Sequence, residues 1–132
     1  MPKKPNIKHK TFDLPIYASK VVFIYGNDYD LILDYLVEDG NDMVTINQLK
    51  PKDWKGITFG SKDKDHAYNY VIVLKDKNKY EEIDTIAHEI FHLVGNILHS
   101  RGIKYNKNKD EPYAYLTGYL VKEFIKFRDG KG

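Results

Sequence analysis

The chain has 132 residues, 42% hydrophobic and 30% charged, the size and make-up of one self-folding soluble domain rather than a disordered or fibrous segment. A net charge of +2, from 21 basic and 19 acidic residues, offers no single-signed field to nucleic acid or an anionic membrane, and the lack of cysteine removes disulfide frameworks, thiolate metal clusters and cysteine nucleophiles. No apolar run reaches membrane-spanning length and no secretory leader is recognisable, so a cytoplasmic, monomeric protein with neither nucleic acid nor membrane as partner is expected.

The first stretch, with four lysines and two prolines in residues 1–10, reads as a flexible basic tail over residues 1–12, leaving 13–132 as a single domain. Residues 16–25 are rich in β-branched and aromatic types and run into Gly26-Asn27, which predicts a strand and a turn. From 28 to 39, Leu31, Ile32, Tyr35 and Leu36 recur at helical spacing before the stop at Gly40. Residues 41–55 are irregular, with a short strand at 43–46 the most they suggest. Residues 56–60 and 68–74 predict two strands pairing as a hairpin across a polar loop at 61–66. A long helix follows over about 80–101 with Gly102 as its stop, and a last helix begins near Asp110 or Glu111, with Pro112 in its first turn, and ends near Phe127. The class expected is α+β: a small, mostly antiparallel sheet packed against the long helix and the C-terminal helix.

The long helix carries His88-Glu89-Ile90-Phe91-His92. Residues four apart lie one turn apart on one face, so two imidazoles can reach one ion, with Glu89 beside its open side; this spacing is that of zinc-dependent peptidases. Ile83, Ile86, Ala87, Ile90, Phe91, Val94, Ile97 and Leu98 gather on one broad face, and the histidines project from the other, as ligands rather than core residues would. A catalytic zinc takes a third protein ligand. Glu111, at the head of the last helix, competes with His99 and with Asp110. Gly95 stands where a metzincin helix breaks, but that pattern places its third histidine at position 98, which is leucine here. A helix running straight past Gly95 would carry His99 about 10 Å along the axis from His92. Glu111 is favoured for that reason.

His88-Glu89-x-x-His92, followed nineteen positions on by Glu111-Pro112-Tyr113-Ala114-Tyr115, resembles the gluzincin pattern, and more closely the compact zincin-like peptidases encoded by phages and mobile elements, whose second motif Glu-x-x-Ala-x-x-x-Gly-x-Leu is matched by Glu111, Ala114, Gly118 and Leu120. The likeness covers residues 68 to about 127. It implies a minimal zincin-like fold and a zinc endopeptidase of a bacterial or phage-infected cell, acting on a protein or peptide substrate. It further implies zinc on His88, His92 and Glu111, with Glu89 as general base. Tyr115 is the expected oxyanion donor, with Tyr113, Tyr119, His66 and His99 as alternatives. The strand at 68–74 resembles the edge along which zincins pair with extended peptides, although Val71, Ile72, Val73 and Leu74, apolar on both faces, suit an interior strand equally. The competing function is a non-catalytic, zinc-stabilised binding module, such as a phage-encoded inhibitor of a host factor.

Overall fold

Two strands that are apolar on both faces form the middle of the molecule. Val21, Val22, Phe23 and Ile24 on one, and Tyr70, Val71, Ile72 and Val73 on the other, are all buried, which is the pattern of a sheet covered by helices on both sides. The computed structural model describes residues 6–17, 19–40, 54–62, 67–108 and 110–130. Strand β1 is Ile7–Leu14, and after a 3₁₀ turn at Pro15–Tyr17 come β2, Ser19–Gly26, and helix α1, Tyr29–Glu38. Strands β3, Gly56–Lys62, and β4, Ala67–Leu74, precede the long helix α2, Lys79–Ser100, and the last helix α3, Glu111–Arg128.

The four strands lie in the order β1-β2-β4-β3. β1 and β3 pair antiparallel with β2 and β4, whereas β2 and β4 run parallel, in register from Ser19 opposite Ala67 to Gly26 opposite Leu74. The class is therefore α+β as expected, with a mixed sheet. Ile32 and Leu36 of α1 pack on Val22, Ile24, Tyr70 and Ile72 on one face. Helices α2 and α3 cover the other, where Phe23 meets Phe124 at 4.8 Å between ring centroids. Among the described residues no helix is long and apolar enough to cross a membrane.

The basic tail needs correction, because Ile7 to Phe12 belong to β1, paired along its whole length with β2. The strand at residues 43–46 and, of the loop expected at 61–66, residues 63–66 with His66 lie outside the described residues, whereas Ser61 and Lys62 belong to β3. β4 is interior, as its apolar faces allow, and the edge beside it is β3.

Helix α2 starts at Asn78, whose side chain accepts from the N–H groups of Tyr80 and Glu81. It runs unbroken past Gly95 and closes at Gly102, where φ is +76° and the N–H groups of Gly102 and Ile103 bond to the carbonyls of His99 and Leu98. A residue without Cβ takes that left-handed conformation with least strain. The buried stripe of α2 is turned relative to expectation: Glu82, Glu89 and Leu93 are inside, while Ile83 and Phe91 are 41% and 56% exposed.

The two carboxylates buried among the described residues, Glu82 and Glu89, both have partners. Glu82 accepts from the Tyr25 hydroxyl at 2.9 Å, from Arg128 Nη1 at 3.1 Å and, through its other oxygen, from the Asp76 N–H at 2.9 Å. Burial, and then the bond to Glu82, raise the Tyr25 phenol well above its ordinary 10.0. The folded protein therefore holds that proton at a pH where the unfolded chain releases it. Stability on this account is intact below pH 10 and declines as the pH rises above it. Urea denaturation should show stability falling from about pH 9 to about pH 11, and falling less in Tyr25→Phe; an identical slope in that variant would contradict the assignment.

Candidate metal centre

α2 lies over β3 and β4, and α3 lies beside it over β2. The flank of α2 away from α3 carries His88 and His92, both exposed, with 66% of the His88 side chain in solvent. Their Nε2 atoms are 3.2 Å apart and their rings meet edge to face at 4.7 Å. With zinc–nitrogen bonds of about 2.0–2.1 Å and a near-tetrahedral angle, two such nitrogens stand roughly 3.3 Å apart. The pair thus has the spacing of two ligands on one ion. In the absence of an ion the same approach is a hydrogen bond in which one ring donates and the other accepts.

Glu89 sits between this pair and the sheet. It is buried, at 7% exposure, and its Oε2 lies 3.9 Å from His88 Nε2. Its Oε1 lies 2.7 Å from the hydroxyl of Thr58 on β3, which also stands 3.0 Å from the Glu89 carbonyl oxygen. One carboxylate oxygen is held by the strand and the other is turned toward the imidazoles. The hydrophobic pattern of the helix did not reveal Thr58. The signal lies in the strand: in Gly56-Ile57-Thr58-Phe59-Gly60, Ile57 and Phe59 pack toward α1, so Thr58 is the hydroxyl on the side facing α2.

Glu111 is not brought to the pair. Arg128 at the end of α3 meets Glu82 at the start of α2, and the Tyr113 hydroxyl donates to the Ile103 carbonyl at the opposite end, so the two helices run antiparallel. Equal steps of about 1.5 Å per residue from the Glu82–Arg128 pair put Glu111 level with His99, some 10 Å along the axis from His92. The straight run of α2 that removes His99 from the pair removes Glu111 by the same distance. Glu111 is exposed and lines a cavity of about 560 Å³ with Ile103, Lys104, Asn106, Asn108 and Pro112. Asp110 precedes it as the helix cap, without a side-chain capping bond. Among the described residues no three His, Asp or Glu side chains converge on one point as a metal cage.

Tyr115 is 78% exposed on the outer side of α3 and makes no hydrogen bond or ring contact with His88, Glu89 or His92. Tyr113 is buried and committed to Ile103, and Tyr119 is 49% exposed. Gly118 faces open space rather than a closely packed neighbour. The structure thus assembles His88, Glu89 and His92, adds Thr58, and leaves Glu111 and Tyr115 apart from them. No family model, curated protein or solved structure shows significant similarity to the chain.

Proposed function

We propose that the chain is a zinc-dependent endopeptidase of the gluzincin type, acting on a protein or peptide substrate. The observation that carries the reading is the 3.2 Å separation of His88 and His92 Nε2, with the free oxygen of Glu89 3.9 Å from the first of them. Bound zinc would supply Lewis acidity toward a carbonyl oxygen and toward water. Glu89 Oε2, facing that position, would take the proton of the attacking water and hand it to the leaving amine. Glu111 is the third donor in this proposal on its sequence resemblance alone, and because the histidines stand on the flank of α2 turned from α3, its service requires α3 to dock differently along and around α2. The oxyanion role of Tyr115 rests on the same resemblance and requires the same movement.

A non-catalytic module that binds a partner through the same pair draws support from the lack of a converging third donor among the described residues. Incubation of the purified chain with an unstructured protein separates the two. The peptidase reading expects cleavage that stops on chelation and returns with added zinc. Zinc binding without any cleavage would replace it with the binding module, and cleavage indifferent to the chelator would exclude the metal from the reaction.

A further inference from the structure

We propose that Thr58, on the edge strand β3, is the positioning residue for Glu89, holding Oε1 so that Oε2 faces the histidines. The inference rests on the peptidase reading above and adds to it a residue from a different element.

The Thr58 hydroxyl has one proton and two acceptors within reach, Glu89 Oε1 at 2.7 Å and the Glu89 carbonyl at 3.0 Å. A carboxylate oxygen is the stronger acceptor and the nearer one, so the proton belongs on Oε1. A glutamate side chain has three rotatable bonds, and a base on it is effective only when its oxygen is kept in line with the proton it removes. Burial alone does not fix that direction, because a carboxylate enclosed by aliphatic walls rotates freely and also lacks a partner for its charge. Thr58 answers both needs.

The strand is built to deliver the hydroxyl. A Cβ added at Gly56 would lie 2.6 Å from Thr85 Cγ2 and 2.9 Å from Glu89 Cγ, so β3 is seated against the very turn of α2 that carries the base. Two residues on, Thr58 stands on the same face of the strand, opposite Val71 of β4. The close approach at Gly56 and the bond from Thr58 together lock the Glu89 side chain between strand and helix.

The test compares Thr58→Val, which keeps the shape and removes the proton donor, with Thr58→Ser, which keeps the donor, and uses Thr58→Ala should the valine variant fold poorly. In Thr58→Val, kcat should fall about tenfold or more with KM for a peptide and zinc affinity unchanged, and Thr58→Ser should stay within about threefold of wild type. Independently of activity, the Glu89 carboxylate ¹³C resonance of the metal-free protein should shift in Thr58→Val and return in Thr58→Ser. Wild-type kcat in Thr58→Val alongside an inactive Glu89→Gln would overturn this inference and leave the peptidase reading standing, as would an unmoved ¹³C resonance. A wild-type chain with no zinc-dependent hydrolysis would overturn both.

Discussion

Glu89→Gln is expected to abolish peptide hydrolysis, by about a hundred- to ten-thousand-fold in kcat, while leaving zinc in place. The substitution changes little but charge and basicity. The glutamine Oε1 still accepts from Thr58 at the position where the carboxylate oxygen lies 2.7 Å away, and the imidazoles of His88 and His92 are untouched. What is lost is the oxygen facing the histidines that can take and return a proton. Single-turnover cleavage of a fluorogenic peptide, beside zinc content by elemental analysis, separates the chemistry from the binding. Full activity in Glu89→Gln would remove Glu89 as the base, and loss of zinc in the same variant would make Glu89 part of the metal's own shell rather than a base beside it.

β2 and β4 were legible as strands from their β-branched and aromatic residues, but the run at 71–74 left edge and interior equally open for β4, and it is interior because helices cover both of its apolar faces. β1 was hidden by the same logic in reverse. Lys8 and Lys10 made it look like a solvated tail, yet they alternate onto the same face as Phe12 and Leu14 and are half-buried there, with the Lys8 ammonium donating to the Arg128 carbonyl while its stem covers apolar surface. The helical wheel of α2 placed Ile83 and Phe91 inside and left Glu82 and Glu89 out, since hydropathy has no means of knowing that a carboxylate will find Tyr25, Arg128 and the Asp76 N–H, or Thr58, in the fold. Tyr25, Arg128 and Thr58 are far away in sequence from the carboxylates they meet, and burial follows them. The spacing of His88 and His92 was legible in full, because both lie on one helix whose geometry is fixed. The place of Glu111 was not, because it depends on where α3 docks along α2 rather than on the nineteen positions between His92 and Glu111.

His88→Ala and His92→Ala should each weaken zinc binding by more than about 100-fold, since loss of even an outer partner of a ligand costs 10- to 100-fold. Neither change should disturb the fold, because both rings are exposed and their shortest polar contact is with each other. Equilibrium dialysis against buffered zinc measures the affinity, and circular dichroism verifies the helix. The proposal expects a loss of comparable size in Glu111→Ala and none in His99→Ala. His99 is seven residues farther along the same continuous helix and reaches the pair only if α2 unwinds. Glu111 begins a separate helix and reaches it only if that helix docks differently against α2. Unchanged affinity in Glu111→Ala would confine the protein's donors to the two imidazoles, and unchanged affinity in both histidine variants would leave their 3.2 Å approach as a hydrogen bond between neighbouring rings and nothing more.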